Sequence, residues 1–519
     1  MFSKNYRYKG NCRSLTAALL LIFSIWSIFP LSALAKNPPD SSQSITPYLE
    51  RVINQVTQFR LDNGMKFIVL ENRDAPVVSF VTYADVGGAD EPDGKTGVAH
   101  FLEHLAFKGT TRIGTTDYAA EKQALQKLDQ IHAQWQAAKQ ANNTGEANKL
   151  AAAFQTQQAE AEKYVKRNEF GRIVETQGGE GLNAQTSSDA TVYFYSFPSN
   201  KLELWMSLES ERFLEPVFRE FYKEQEVILE ERRMRTDNSP IGRLVESFLD
   251  TAYTVHPYKR PVIGYNQDIR DLDPADVKAF FQQYYSPNNL TVAIAGDVNP
   301  AEVKRLAQEY FGRFPAQPQP PKVTKVEPPQ TEPKEVTLQL ASQPWYIVGF
   351  HRPELTHPDN AVYEVIATLM SDGRTSRLYK SLVEEKRLAL GAQGFNGFPG
   401  DKFPNIMLFY ATTPPNVNLE DLEAAMNAEI DRLQNEPVSQ EELERVKNNL
   451  RADLLRGLDS NMGMARALVE YEAKTGDWRN LFKTLDQYAA VTPADIQRVA
   501  RETFTPENRT IGKIIPVAK

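Results

Sequence analysis

The sequence has 519 residues, of which 41% are hydrophobic, and 67 Asp and Glu outnumber 59 Lys and Arg, giving a formal net charge of −8. This acidic balance, without a basic run in the body of the chain, argues against a nucleic-acid partner, which needs a positively charged surface. The length is enough for about two to four hydrophobic cores and predicts a multidomain protein.

The N-terminus has the pattern of an export signal. An apolar run from Leu15 to Leu31 is followed by Ala33-Leu34-Ala35, an A-x-A cleavage site, and is preceded by four basic residues: Lys4, Arg7, Lys9 and Arg13. We predict a signal peptide over residues 1–35 and an exported, periplasmic protein; retention of the segment as a single membrane anchor is the alternative. Removal of the signal would take away Cys12, the one cysteine, which suits an oxidising compartment.

Residues 36–50 are rich in proline and serine and are predicted to form a tether. Beyond it, apolar and alternating runs predict strands at 67–70, 77–83 and 191–195. Residues from about 118 to 167 are rich in Ala, Gln, Lys and Glu, with apolar residues at helical spacing and a break at 142–145. They predict a helical hairpin inserted into the first half, either as a docking or gating arm or as a solvated excursion.

Two histidines four residues apart predict chemistry in the first half. On a helix His100 and His104 lie on one face, with Glu103 beside them, in the order HxxEH, the inverse of HExxH. Neutral imidazole nitrogens bind Zn²⁺, and a neighbouring carboxylate can take the proton of a metal-bound water. The motif therefore predicts a hydrolytic zinc site with Glu103 as general base. Two buried structural histidines are the alternative.

A carboxylate-rich segment downstream could supply a third ligand. The stretch Glu224–Glu231 reads EQEVILEE, and Glu224 and Glu231 fall on one helical face. Periodicity alone leaves open whether Glu224, Glu226, Glu230 or Glu231 faces a metal. A charged surface helix is the alternative.

The chain contains an internal repeat. Residues 274–277 and 286–291 recur as residues 493–496 and 505–510, at a constant offset of 219 residues (493 − 274). Such a fixed register indicates two duplicated halves, 51–314 and 336–519, each α+β with a mainly antiparallel sheet and helices packed on it. Seven prolines mark residues 315–335 as a linker between the halves: Pro315, Pro318, Pro320, Pro321, Pro328, Pro329 and Pro333.

Four motifs resemble the signature blocks of peptidase family M16, the group of pitrilysin, insulinase and mitochondrial processing peptidase: GVAHFLEHLAFKGT, GLNAQTSSDATVYFY, EQEVILEERRM and HPYKRPVIG. The similarity runs from about Val56 to the C-terminus. It implies zinc held by His100, His104 and Glu231, with Glu224 supporting these ligands. It also implies that the two halves form a clam-like chamber that closes around an unfolded peptide.

The resemblance extends to substrate contacts. Asn183, Ala184 and Thr186 lie in a stretch similar to the family's edge strand, which pairs with an extended substrate; an ordinary turn-to-strand stretch is the alternative. In the second half, the segment corresponding to HxxEH is LMSDG at 369–373, without ligands. Val383 and Leu390 stand where active relatives have an Arg and a Tyr. The resemblance therefore implies a second M16 subunit that supplies Arg and Tyr in a heterodimer, or a homodimer.

These observations favour a zinc-dependent endopeptidase that hydrolyses peptides or unfolded segments. The first alternative is a non-catalytic M16-like peptide-binding or assembly subunit, although a scaffold has no need for a buried charged ligand set. The second is a structural zinc domain, which would normally have a fourth protein ligand. The other histidines are predicted to be structural or superficial: His132, His256, His351 and His357.

Overall fold

The computed structural model describes residues 46–415 and 417–517, with side chains from residue 50 onward. The predicted signal peptide and residues 36–45 of the predicted tether lie outside the described residues. Helix α1 (Thr46–Gln55) contains the end of that tether, and the described residues from Arg51 onward belong to one compact unit. Among the described helices, none combines the length and apolar character needed to cross a membrane.

The first half is built on a six-stranded sheet with the order β1-β2-β6-β3-β5-β4. Only the β2–β6 pair among its neighbours is parallel. The three predicted strands are confirmed as β2, β3 and β5. The strands are β1 (Val56–Arg60), β2 (Lys66–Glu71), β3 (Val77–Ala84), β4 (Glu180–Thr186), β5 (Thr191–Pro198) and β6 (Leu290–Gly296).

Helices pack on this sheet around one large apolar cluster that includes Phe67, Phe80, Phe101 and Trp205. Because burial of such side chains is the main favourable term in folding, this cluster fixes the helices relative to the strands. After α1, the helices of this half are α2 (Val98–Leu105), α3 (Tyr118–Gln140), α4 (Thr144–Glu162), α5 (Glu169–Thr176), α6 (Leu202–Leu214), α7 (Phe221–Arg232), α8 (Pro240–Ala252), α9 (Asn266–Asp271), α10 (Pro274–Tyr284) and α11 (Pro300–Tyr310).

The second half has a five-stranded sheet with the order β7-β11-β8-β10-β9, in which only β7–β11 is parallel. Its strands are β7 (Lys334–Leu340), β8 (Trp345–Arg352), β9 (Gly391–Phe398), β10 (Asn405–Thr412) and β11 (Arg509–Pro516). Its helices are α12 (Asn360–Ser371), α13 (Leu419–Asn435), α14 (Gln440–Gly457), α15 (Asn461–Thr475), α16 (Asn480–Ala490) and α17 (Pro493–Thr503).

The predicted fold class, α+β with two duplicated and mainly antiparallel halves, is confirmed. Strands β2-β6-β3-β5-β4 correspond in order to β7-β11-β8-β10-β9. The repeated sequence forms the same helix start twice. Asp273 and Thr492 are the N-caps of helices that begin with proline, and each forms a capping box with an aspartate three residues later. In both halves this helix leads into a central strand, β6 or β11.

The two halves exchange helices. Helix α8, from the first half, packs on β7 and β11 of the second sheet, and α15, from the second half, packs on β3 and β6 of the first. Leu244 and Phe248 of α8 lie in a buried cluster with Trp345. A Cβ at Gly512 would lie 3.2 Å from side-chain atoms of both helix residues, so this strand position suits a glycine. Each sheet is therefore covered in part by a helix from the other half.

The segment between the two sheets has neither helix nor strand over residues 315–333, and β7 begins at Lys334. The Glu327 carboxylate accepts hydrogen bonds from the backbone N–H groups of Thr254 (2.7 Å), Val255 (2.9 Å) and His256 (2.8 Å). These contacts attach the middle of this segment to the chain that follows α8. The exact limits of the predicted linker and halves stay predictions.

Helices α3 and α4 form the hairpin expected between about 118 and 167, with the break at residues 141–143. A buried arginine ties its base to the chain after α2. Arg219 pairs with Glu121 at 2.7 Å and donates to the carbonyls of Lys108 (2.6 Å), Thr110 (2.7 Å) and Ile113 (2.9 Å). The segment that leaves α2 is thereby fixed to the hairpin.

Candidate metal centre

Helix α2 carries the HxxEH motif and is held at its N-terminus by a buried glutamate. The Glu91 carboxylate accepts hydrogen bonds from the backbone N–H groups of Gly97 and Ala99, each at 2.9 Å. Gly97 has φ +88, and a Cβ there would lie 2.7 Å from the carbonyl oxygen of Ile263. Only glycine fits this position, and it allows the motif HPYKRPVIG, the block of residues 256–264, to lie directly against α2.

The structure brings His100, His104 and Glu231 together, with one ligand atom from each lying within 4.8 Å of the others. The two Nε2 atoms are 3.2 Å apart. Glu231 lies 3.8 Å from His100 Nε2 and 3.5 Å from His104 Nε2. Within the described part of the chain no fourth His, Cys, Asp or Glu joins this group. Glu226 and Glu230 are exposed, so Glu231 is the one that faces the imidazoles.

Glu224 lies behind His104. Its Oε1 is 2.8 Å from His104 Nδ1, and its Oε2 is 2.5 Å from Lys108 Nζ. Burial alone would raise the pKa of Glu224, but the hydrogen bonds from His104 and Lys108 prevail and lower it to about 2. The ionised carboxylate fixes Nδ1–H as the donor and leaves Nε2 free to bind a cation.

The donor set fits zinc. Burial, with the nearby charges of His104 and Arg235, lowers the pKa of His100 to about 3, so this imidazole is neutral as a ligand must be. Burial opposes protonation of His104, but its hydrogen bond with Glu224 raises its pKa overall. Two imidazoles and one carboxylate are the protein ligands of many catalytic zinc sites, and a carboxylate behind one imidazole is typical of them.

Glu103 lies next to the ligands and meets the edge strand of the sheet. Thr186, at the end of β4, donates its hydroxyl to Glu103 Oε2 at 2.6 Å. Burial raises the pKa of Glu103, against the effect of the Thr186 hydrogen bond. A carboxyl group with a raised pKa is better placed to exchange a proton near neutral pH. The glutamate is thus oriented by the strand that was predicted to bind substrate.

The three residues predicted to contact substrate have different surroundings. Asn183 is exposed, and its side chain accepts a hydrogen bond from the Ala184 N–H at 2.9 Å. Ala184 is half-buried and packs on the first core. Thr186 contacts Glu103 directly. β4 lies at the edge of the sheet, paired with β5 on one side.

Sequence reasoning missed four residues that build the centre: Glu91, Lys108, Arg232 and Arg235. Arg232 donates to the Gly264 carbonyl at 2.6 Å and to both oxygens of Glu246, which fixes α7 against the block 256–264. Arg235 Nη1 lies 2.6 Å from Glu231 Oε1. The i,i+4 spacing of Glu231 and Arg235 is a visible sequence signal for that pair; the partners of Glu91 and Arg232 leave none.

The second half has no comparable group of ligands among its described residues. The segment 369–373 runs from the last turn of α12 to just beyond its end, and its Leu369 and Met370 are fully buried. Val383 is half-buried against the second core, and Leu390, just before β9, is 59% exposed. Neither side chain can donate a hydrogen bond.

The four other histidines make structural contacts. His132 packs in the hairpin against Trp135, Phe154 and Tyr222. His256 and His357 each accept a backbone N–H at 3.2 Å, and His351 Nε2 lies 3.1 Å from the Ala252 carbonyl. The prediction that they are structural agrees with these contacts.

The HxxEH motif on α2, which faces Glu231 of α7, is the signature of the inverzincin class of zinc proteases. Residues 67–145 and 142–265 match the model described as Insulinase (Peptidase family M16), and residues 271–450 match that described as Peptidase M16 inactive domain. The chain belongs to peptidase family M16.

The sequence is similar to those of curated relatives over nearly its whole length. The chain is 30% identical over 499 residues to zinc protease PqqE of Helicobacter pylori, covering 94% of this chain and 98% of the relative. It is 21% identical over 466 residues to the uncharacterized zinc protease YmxG of Bacillus subtilis, covering 89% and 98%.

Solved structures share the fold. A protease from Helicobacter pylori superposes with a TM-score of 0.75 at 29% identity, covering 89% of this chain and 99% of that one. A peptidase M16 inactive domain from Pseudomonas fluorescens superposes with a TM-score of 0.71 at 16% identity, covering 89% and 98%. At 16% identity, the similarity to the Pseudomonas fluorescens structure supports a shared fold and nothing further.

Proposed function

We propose that this protein is a zinc-dependent endopeptidase that hydrolyses peptides or unfolded segments. The observation that carries the proposal is the convergence of His100, His104 and Glu231 beside a carboxylate, Glu103, that is held by the edge strand β4. A zinc ion bound there would supply Lewis-acid chemistry, polarising the scissile carbonyl and lowering the pKa of a bound water.

The chain's own residues supply the remaining steps. Glu103 takes the proton of the attacking water and returns it to the leaving amine, which needs one carboxylate within reach of both. β4 binds the substrate backbone by strand addition, so that main-chain hydrogen bonds accept many sequences, with Asn183 and Ala184 along it. Thr186 keeps Glu103 turned toward that strand.

The test is zinc content and cleavage of a quenched generic peptide by the purified protein and by Glu103→Gln. We expect about one zinc per chain in both, with turnover about 10²- to 10⁴-fold lower in the variant. Asp372→Asn is the matched control, because Asp372 occupies the corresponding place in the second-half LMSDG segment; it should leave turnover unchanged. Zinc binding without cleavage by either protein, alone or with a partner, would contradict the proposal.

One observation favours a non-catalytic alternative, a peptide-binding or assembly subunit. Val383 and Leu390 provide no donors for a developing oxyanion, which active sites of acyl-transfer enzymes require. We therefore propose, in addition, that full activity needs a second M16 subunit that supplies an Arg and a Tyr, or a second copy of this chain. Full turnover by a protein that sedimentation shows to be monomeric would contradict this.

Export to the periplasm is proposed from the pattern of residues 1–35 alone. N-terminal sequencing of the protein from fractionated cells tests it. A mature N-terminus near Lys36 in the periplasmic fraction is expected, whereas an intact Met1 in the membrane fraction would indicate the anchored form.

A further inference from the structure

Arg466 places its guanidinium group on the sheet that bears the edge strand β4, and among the described residues this group has no hydrogen-bonding partner. It lies on α15, the helix that the second half contributes to the first sheet. Its Cζ lies 3.6 Å from the centre of the Phe194 ring on β5. Within the described part of the chain, no carboxylate or carbonyl forms a hydrogen bond or ion pair with it. An arginine has five N–H donors, so this one retains its capacity to bind an anion.

The nearest acidic residue on the same helix is already engaged. Glu470, one turn beyond Arg466, pairs with Lys474 at 2.6 Å, and Lys474 also pairs with Asp401 at 2.7 Å. Arg466 itself is half-buried. Burial of its guanidinium is unfavourable and is offset only in part by the stacking on Phe194 and by the charge of Glu470. A bound anion would offset more of this cost.

The guanidinium of Arg466 lies near the β4 edge of the first sheet. Helix α15 lies over β2, β6 and β3, and Arg466 reaches past them to β5, which is the neighbour of β4. Phe194 pairs across the strands with Asn183, and Val192 pairs with Gln185. Directly opposed residues point to the same face, so the exposed Asn183 and Gln185 share their face with Phe194 and Arg466.

A peptide added to β4 would present every second side chain on this same face. Thr186, which contacts Glu103, is three residues from Asn183, or about 10 Å at the usual rise of a strand. A substrate side chain beside Asn183 or Gln185 is therefore within about three residues of the bond beside Glu103.

Resting on the proposed function, we infer that Arg466 is a specificity-determining residue that binds an acidic side chain of the substrate, close to the scissile bond. Its guanidinium stacks on Phe194, which orients it, and offers its N–H groups to a carboxylate, a geometry that arginine provides and lysine provides less well. The substrate class is thus a peptide with Asp or Glu on the side of the bound strand that faces Arg466.

The experiment uses the zinc-loaded Glu103→Gln protein, which should bind peptides without cutting them. One fluorescent peptide of about twelve residues carries a single Glu at successive positions, and each version is compared with its Gln counterpart by anisotropy. We expect about three- to tenfold tighter binding of Glu at one position or at two positions separated by one residue, the strand period.

Adding Arg466→Met should remove the preference for Glu while leaving the Gln peptides bound, and Arg466→Lys should keep part of it. Arg466→Glu should transfer the preference to Lys at the same position. Arg305→Met, an exposed arginine on α11, is the matched control and should change nothing. Thermal melting of each variant reports whether Arg466 only supports folding.

The outcomes separate the two levels of the proposal. If peptides are bound and cleaved but Glu and Gln never differ, or if the difference survives Arg466→Met, the inference about Arg466 is wrong and the peptidase proposal stands. If Arg466→Met lowers the melting temperature without altering any peptide preference, Arg466 is structural only. If the protein with Glu103 intact neither binds nor cleaves any peptide, the proposed function fails and the inference with it.

Discussion

The two sheets have the same strand order but use their edge strands differently. In the first, β4 ends at Thr186, whose hydroxyl holds Glu103 of α2. In the second, β9 takes the matching place and packs against α12, where Ser371 donates to the Gly394 carbonyl at 3.3 Å. The edge strand β4 thus contacts the titratable side chains of α2, whereas β9 contacts α12, whose buried side chains are mostly apolar.

This difference indicates what the proposed zinc centre would require in addition to its ligands. The second half keeps the helix and the edge strand but fills the helix with residues such as Leu369 and Met370, which gain stability from burial. The first half buries His100 and Glu224, which is unfavourable unless each has a partner. Glu224 is paired with His104 and Lys108, and the proposed zinc ion would be the partner of His100. Titratable side chains thus occupy the place that apolar side chains fill in the second half.

The largest effect should come from Glu231, the proposed third zinc ligand. Glu231→Gln removes the negative charge of the ligand group and should lower zinc affinity by more than about 100-fold, and peptidase activity with it. Glu230→Gln, one residue away and exposed, is the control and should bind zinc normally. Competition with a chromogenic chelator measures both. Equal losses in the two variants would show that α7 presents a different carboxylate.

The exchange of helices predicts the next effect. Phe248, 1% exposed, packs from α8 into the core of the second sheet. Phe248→Ala should lower the free energy of unfolding by about 3–5 kcal/mol in urea, while the protein that remains folded keeps its zinc. Val326→Ala, at a residue 75% exposed, should change stability by less than about 0.5 kcal/mol. A loss below 1 kcal/mol for Phe248→Ala would mean that α8 is not needed by the second half.

The residue behind His104 should have a smaller effect. Glu224→Gln keeps a hydrogen-bond acceptor for Nδ1–H but removes the charge, and should weaken zinc binding by about 10- to 100-fold. Glu226→Gln, two residues on and exposed, should have no effect. Zinc affinities by calorimetry at one fixed pH decide between them. No change in Glu224→Gln would indicate that Lys108 and the helix alone orient His104.

Restoring donors to the second half should bring a modest gain. The double variant Val383→Arg with Leu390→Tyr should raise the kcat of the single chain about tenfold, since one oxyanion donor can contribute more than this in a well-formed site. Val383→Lys with Leu390→Phe matches charge and size without the guanidinium or the hydroxyl. A gain of equal size in this control would show that charge alone is responsible.

The smallest effect is expected in the inserted hairpin, which has no counterpart among the described residues of the second half. Asp129 accepts from the Tyr222 hydroxyl at 3.0 Å, and burial raises its pKa to about 6. Because the folded pKa exceeds the unfolded one, ionisation of Asp129 disfavours folding. Its cost is absent below about pH 4 and complete above about pH 6.

Asp129→Asn should therefore raise the free energy of unfolding by about 1 kcal/mol at pH 7.5, after allowance for partial exposure, and by nothing at pH 4. Urea unfolding at the two pH values measures the change. Asp117→Asn, which replaces the N-cap of α3, is the control, because its effect does not depend on a raised pKa. A gain at pH 4 equal to that at pH 7.5 would contradict the assignment to Asp129.

The sequence by itself determined the local features. The i,i+4 spacing of His100 and His104 places both on one face of α2 whatever surrounds it, because the helical period is fixed by the backbone. The repeated Pro-Ala-Asp start and its constant offset likewise predicted two copies of α10 with β6. These signals lie within a turn or a single element, where covalent geometry and capping dominate.

Only the tertiary structure decided which distant residues complete the centre. Periodicity left four glutamates on α7 open, and only the family resemblance pointed to Glu231. In the structure Glu231 is the one that faces the imidazoles, because α7 packs against α2 at that point. Glu91 and Thr186 took their roles in the same way, as did the exchange of α8 and α15. These outcomes depend on packing between segments far apart in the chain. Sequence patterns show which residues can be buried, but they do not show which helix and strand faces pack against each other.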